Sequence, residues 1–351
     1  MRCGLGSEGR CVIQFDRCLL RKEEQVELTP YEQREPDEDE MIVAMIAAMK
    51  RQQESDYPPG ATGRAAHAKH TALLEMSFAV HEDIPAHLRV GVFAEPRVYQ
   101  GYLRFSNGNG APQPDGIKDL RGAALKLHGV DGEHIPESDE LGTQDFILLN
   151  TPAIPLGTVR LFTDVITLSQ AKFAARTAVS HPHVLAGLAK AVITPSSPAD
   201  IPYWSNVAAL LGPDQVVKYS IVPTSEYTSP AREKHDDNFL GDHLEQHLAQ
   251  GPVTFDFKIQ LRTDPQSMPV EDIAVEWSET ASVPVTVATV IVQPQPFRTA
   301  ARNSLAEELA FSPAHALVEH RPIGAVARAR IAIYAQMVSW RHDRDGRTGT
   351  A

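Results

Sequence analysis

The sequence predicts an α+β fold built on an antiparallel β-barrel. Three observations carry that expectation. Short runs rich in β-branched and aromatic residues, punctuated by Gly, Pro and Asn, recur from residue 64 onward. Helical spacing is inserted between these antiparallel-type runs, as in an α+β fold. A chain of 351 residues is long enough to close a large barrel as one unit.

The elements follow in order. Residues 1–37 read as a poorly ordered tail ending in the charged run "YEQREPDEDE", and 38–351 as a single domain. Cys3, Cys11 and Cys18 all fall in that tail, with no histidine nearby and no zinc-type spacing. A helix is expected at about 37–53, where an acidic start and basic end suit the helix dipole. Strands are expected in "RAAHAKHTALLEMSFAV", "VGVFAE", "YQGYLRFSNG", "RGAALKLHG" and "DFILLNTP". Residues 157–195 switch to helical spacing. Strands return at "QVVKYSIVP", "VTFDFKIQLR", "IAVEWS" and "VTVATVIVQ", with the helix "DDNFLGDHLEQHLAQG" between the first two. "TAARNSLAEELAFSP" and "RARIAIYAQMVSWR" end the chain as helices.

Composition narrows the function. Apolar residues make up 42% and charged residues 22%, as in ordinary globular proteins. A net charge of −12 gives no general attraction for nucleic acid or anionic membrane. No run of apolar residues reaches the length of a spanning helix, and the N-terminus has no long apolar stretch typical of a signal peptide, so a cytoplasmic location is expected.

Three stretches carry candidate chemistry. In "RARIAIYAQMVSWR", Arg330, Tyr334 and Arg341 fall on one helix face, and a guanidinium one turn from a phenol favours its anionic form. In "GRAAHAKH", Arg64 precedes His67 by three. In "GYLRFSNG", Arg104 and Ser106 share a strand face, and an arginine facing inward from a barrel requires an anionic partner. His243 and His247 in "HLEQH" lack the Glu that a zincin motif places after the first His, and read as a solvated helix face. "NGNGAPQPDG" reads as a turn region and "SHPHV" as an exposed helix start.

Taken in order, these stretches resemble the haem-dependent catalase family, in its short, divergent peroxidase and allene oxide synthase-like branch. "RAAHAK" resembles the distal-histidine segment, "YLRFSNGNG" the propionate-binding strand, and "DLRGAALKLHG" the D-x-R-G run. "DFILLNTPAI" resembles the distal-asparagine segment, and "RIAIYAQMVSWR" the proximal R-x-x-x-Y helix. The resemblance covers about residues 40–345. It implies a catalase-like antiparallel barrel around a buried haem b, with peripheral helices. It makes Tyr334 the iron ligand, Arg330 the group that keeps it ionised, and His67 the acid–base residue backed by Ser106. Arg64, Arg104 and Arg341 become partners of the propionates, and Phe162 an aromatic on the distal face.

The resemblance implies a peroxidase acting on organic hydroperoxides, lipid ones included, and on hydrogen peroxide, with a ferryl intermediate and a separate electron donor. A single histidine titrating near neutrality would move the proton. Hydroperoxide isomerisation of the allene oxide synthase kind, weak true catalase activity and non-enzymatic haem binding or peroxide sensing stand as alternatives. Two departures stand out. "LLNTP" puts Leu149 where the family's first asparagine stands, so either Asn150 shifts in or the polar anchor is missing and the distal side is more apolar, suiting an organic hydroperoxide. The chain also stops soon after the proximal helix, implying a more open channel and leaving room for a homo-oligomer other than the interwoven tetramer.

Overall fold

A computed structural model describes residues 28–231 and 237–346. The expectations for residues 1–27, including the three cysteines, lie outside them. The remainder of the expected tail is folded: Tyr31 packs beside Trp277 and Met268, and Glu32 and Gln33 bond to the segments around Gly324 and Glu271.

Helix α1 (Glu38–Asp56) leads into β1 (His70–Val80), β2 (Val98–Asn107), β3 (Arg121–His128) and β4 (Thr143–Leu149). Three helices follow, α2 (Val159–Thr167), α3 (Gln170–Ser180) and α4 (Pro182–Ala191). Then come β5 (Tyr203–Trp204), β6 (Ala208–Leu210) and β7 (Val216–Pro223), α5 (Phe239–Gln250), β8 (Val253–Leu261) and β9 (Val285–Val292). The chain continues through α6 (Ala300–Glu308) and β10 (Pro322–Ile323) to α7 (Ala325–Asp345). Every pairing between strands is antiparallel. The order β5-β4-β3-β2-β1-β9-β8-β7 closes on itself because β7 bonds both β8 and β5. β6 and β10 extend the sheet from β7.

The barrel interior is filled. Ala72, Leu74, Met76, Phe78 and Val80 alternate along β1 and point into it, as the two-residue period of a strand requires. Phe255, Phe257 and Ile259 do the same from β8. Phe257 is the hub of the aromatic contacts, its ring centre 4.8 Å from Phe146 and 5.0 Å from Phe78. The opposite faces are also covered. Leu73 packs outward with Ala306 and Phe311, and α1, α2 and α7 share an apolar cluster built on Met45, Ala329 and Ile333.

Two expected strands are not strands. "VGVFAE" forms a 3₁₀ turn at Gly91–Phe93, with Gly91 at φ +55°. "IAVEWS" is a buried turn: Asp272 accepts the Ala274 N–H, and Ile273 and Trp277 are buried. Both are apolar because they plug the barrel and its flank, not because they pair. Helix α7 is positioned by carboxylates. Glu32 accepts the Gly324 N–H and Glu271 the Ala325 N–H, satisfying donors that the helix start leaves free. One turn on, Arg328 grips Glu38 with both Nε and Nη2.

Gly101 shows how tightly the wall is packed, since a Cβ there would lie 1.9 Å from the Lys126 carbonyl oxygen. Gly101→Ala is expected to destabilise the fold by about 1–3 kcal/mol, the usual cost of overpacking. An unchanged thermal melting temperature would show that β2 and β3 are less closely apposed.

Candidate active site

The main cavity lies between the outer face of the barrel wall and α7. On β2, Leu103 and Phe105 enter the barrel core while Arg104 and Ser106 face the other way. The expected inward-facing arginine is therefore an outward-facing one, and the barrel core is not the site. Register extends this face: Arg104 pairs with Ala124, which pairs with Ile147, and Ser106 pairs with Gly122. From across the space, α7 contributes Ile333, Tyr334, Met337, Val338, Trp340 and Arg341. Met49 of α1, the loop around Gly63–His67, Ala310 and Phe311 complete the wall. The space amounts to about 880 Å³ including its mouth. Arg64, Arg104 and Arg341 line it, and among the described residues no carboxylate does.

His67 is held in an uncommon backbone conformation, φ +55°, in the left-handed region. Its N–H donates to Gly108 O at 3.1 Å, and its carbonyl accepts from Arg104 Nη2 at 2.8 Å. Its Nδ1 lies 2.9 Å from Ser106 Oγ. Gly122 makes room for the ring, since a Cβ there would come within 2.7 Å of Nδ1 and Cε1. Burial, followed by the charges of Arg104, Arg330 and Arg64, pushes the His67 pKa down to about 3. The expected neutral-range titration is thus replaced by an imidazole held uncharged.

The arginines are strained electrostatically. Burial and the neighbouring Arg64 lower Arg104 to about 9. Burial also lowers Arg64, whose Nη2 is spent on the carbonyls of Ala306 and Leu309. Among the described residues, the Nε of Arg64 and of Arg104 has no hydrogen-bond partner. Glu307 lies behind them. The hydrogen bond from His70, then the charges of Arg64 and Arg104, hold its carboxyl at about 2 despite burial.

The remaining expected residues divide. Arg330 stands over the Tyr334 ring, 5.8 Å from its centre. Asn150 does not line the cavity: Oδ1 accepts the Arg121 N–H and Nδ2 donates to Ala191 O. Leu149 packs away with Ile154 and Val207, and the β4 residues on the cavity are Ile147 and Leu148. Phe162 sits among the apolar residues that back α1 and α7, clear of the cavity lining. His243 and His247 are buried rather than solvated, His243 Nδ1 bonding Ser196 O and His247 meeting Tyr227 edge to face. Gly122, Met49, Phe311 and Trp340 had no signal beyond their place in apolar or glycine-containing runs. No group of three or more His, Cys, Asp or Glu side chains among the described residues could hold a metal ion, and no described helix is long and apolar enough to cross a membrane.

Comparison with known proteins gives this geometry its context. No family model matches the chain. A catalase-related peroxidase from Mycolicibacterium paratuberculosis (strain ATCC BAA-968 / K-10) is 31% identical over 239 residues, covering 65% of this chain and 74% of that protein. A bacterial catalase structure superposes with a TM-score of 0.63 at 17% identity, covering 94% of this chain and 67% of that one. A fungal catalase structure gives 0.62 at 16% identity over 85% of this chain, which spans 63% of the fungal one. The two catalases establish the fold and the peroxidase the kinship: the chain belongs to the catalase-like family, in its divergent catalase-related peroxidase branch.

Proposed function

We propose that the protein is a haem-dependent peroxidase that reduces organic hydroperoxides, with electrons from a separate donor, and turns over hydrogen peroxide less well. One observation carries the reading: among the described residues, His67 with Ser106, and Tyr334, line a single apolar cavity that has three arginines and no carboxylate. The residue set fits haem b. Among the described residues, the buried Nε atoms of Arg64 and Arg104 have no hydrogen-bond partner, which suits the carboxylates of a dianionic cofactor, since unpaired buried charge is costly. Arg64, Arg104 and Arg341 would hold the propionates, Tyr334 would ligate the iron through its phenol oxygen, and Arg330 would stabilise negative charge on that oxygen.

Bound haem supplies an iron redox centre that a tyrosine ligand steers toward peroxide chemistry. The chain's own residues handle the proton and the substrate. With Nδ1–H donating to Ser106 Oγ, the other ring nitrogen of His67 presents a lone pair. That nitrogen takes the hydroperoxide proton and returns it to the leaving oxygen. Burial favours the uncharged ring, the form that accepts the proton, and the imidazolium so formed gives it back. Ile147 and Leu148 are the β4 contribution to this wall, so no amide from that strand anchors a peroxide. An organic substituent gains from the apolar surface, at roughly 25 cal/mol per Å² buried. Hydrogen peroxide gains nothing there.

Tyr334→Phe is expected to abolish tight haem binding or to shift the absorption spectrum, and an unchanged ferric phenolate spectrum would overturn the assignment. His67→Ala is expected to keep haem but lose about 10²–10⁴-fold in hydroperoxide turnover, the usual contribution of a positioned proton-transfer group. A bulky hydroperoxide should show the higher kcat/KM, whereas rapid oxygen evolution from hydrogen peroxide alone would reverse the substrate order. A further outcome concerns stability without added haem. The folded-state pKa of His67 lies below its unfolded value of 6.5, so its contribution is complete above 6.5 and lost as pH falls toward about 3. His67→Gln should flatten that part of the pH–stability curve in denaturant titrations.

A further inference from the structure

The cavity wall at Ala310 and Phe311 is backed by a buried ion network with no part in the chemistry above. Lys126 of β3 is fully buried, with Nζ 2.8 Å from Glu140 Oε2 and 3.1 Å from Asp145 Oδ1. His315 Nδ1 lies 2.9 Å from Asp145 Oδ2 and 3.3 Å from Glu140 Oε2, and its Nε2 lies 2.7 Å from Asp139 Oδ1. The same Nδ1 is 3.0 Å from Lys126 Nζ. Two contacts carry the network to the wall. Asp145 Oδ2 accepts the N–H of Ser312, the residue after Phe311, at 2.9 Å, and Lys126 Nζ stands 5.8 Å from the centre of the Phe311 ring. From the cavity side, Arg64 holds the carbonyls of Ala306 and Leu309. The segment is therefore clamped between a cavity arginine and a charge cluster.

Two of the three neighbours of His315 Nδ1, Asp145 and Lys126, make opposite demands. Asp145 can only accept a hydrogen bond and Lys126 can only donate one. An imidazolium donates from Nδ1 to Asp145 and from Nε2 to Asp139. A neutral ring that keeps its proton on Nε2 presents a lone pair at Nδ1, which accepts from Lys126 and repels Asp145. Loss of one proton thus leaves His315 able to donate to only one of Asp145 and Asp139, and Lys126 competes with Asp145 for Nδ1.

We propose that His315 is a positioning residue, a proton-operated latch that tightens the cavity wall through Asp145 and Ser312 when charged and loosens it when neutral. The groups facing it are Lys126 from β3, Asp145 from β4, and Asp139 and Glu140 from the loop between them. Three carboxylates against one lysine favour a second positive charge. Burial opposes that charge, but the hydrogen bonds and charge of Asp145, with help from Asp139, outweigh it and outweigh Lys126, so the pKa stands above the ordinary 6.5. The latch is closed below that raised value and opens as pH rises through it. The cavity reading gives the wall its meaning, but the latch is measurable without haem.

Hydrogen–deuterium exchange of the full chain, without added haem and corrected for the intrinsic pH dependence of exchange, tests it. Protection of the 310–316 amides is expected to fall by about tenfold as pH rises through the transition, the loss of one charge-assisted hydrogen bond. Asp139→Asn, at a largely exposed carboxylate, should move the midpoint down, and His315→Gln should remove the pH dependence. Protection that is level with pH, or a midpoint unmoved by Asp139→Asn, would overturn the latch, and Asp139→Asn decides even if His315→Gln fails to fold. The spectrum of Tyr334→Phe remains a separate measure of the haem assignment.

Discussion

The two faces of β2 have incompatible duties, and the site depends on keeping them apart. Leu103 and Phe105 must enter the aromatic core, so Arg104 and Ser106 must leave it. A slip of one residue would bury a guanidinium among phenylalanines and expose a phenylalanine to the cavity. The closed ring of hydrogen bonds forbids that slip, because β2 is paired on both sides and the barrel has no free seam at this strand. The register carries the same face across Gly122, Ala124 and Ile147, which gives His67 its space and the cavity its floor.

Charge organises what the register has placed. An acidic protein gathers three arginines around one cavity and keeps carboxylates out of its lining. Carboxylates are used instead at the start of α7, where Glu32 and Glu271 cap the helix and Arg328 ties it to Glu38. That anchoring is three turns or fewer from Tyr334, so the position of the phenol is set by polar contacts outside the cavity. Burial, and then the positive field of the neighbouring arginines, favours an uncharged His67. The network at His315 continues the pattern, since it backs the apolar wall with charges that never enter the cavity.

Legibility differed from residue to residue for physical reasons. Period-two alternation made β1, β2 and β8 readable, because each buries one side chain in two against the same core. "VGVFAE" and "IAVEWS" have strand composition but serve as plugs, and composition cannot distinguish a residue buried by pairing from one buried by capping. Arg64, His67, Arg104, Ser106, Tyr334 and Arg341 meet at one cavity. Asn150 could not be judged from its motif, because both its amide atoms are taken by backbone groups of Arg121 and Ala191. Phe162 could not either, since a helix residue between two apolar clusters can face either one. His243 and His247 were misjudged because helical spacing shows that they share a face but not what covers it.

By itself, the sequence determined the local periods, the residue types within reach of one another along one helix or strand, and through its motifs the family. These are short-range properties, set by backbone geometry and by side-chain chemistry at fixed spacing. Tertiary structure alone decided which side of the barrel wall holds the site, that no amide from β4 reaches it, and that His67 carries no charge. Those outcomes depend on register, on partners distant in sequence and on the exclusion of water, none of which is encoded in any one stretch of the chain.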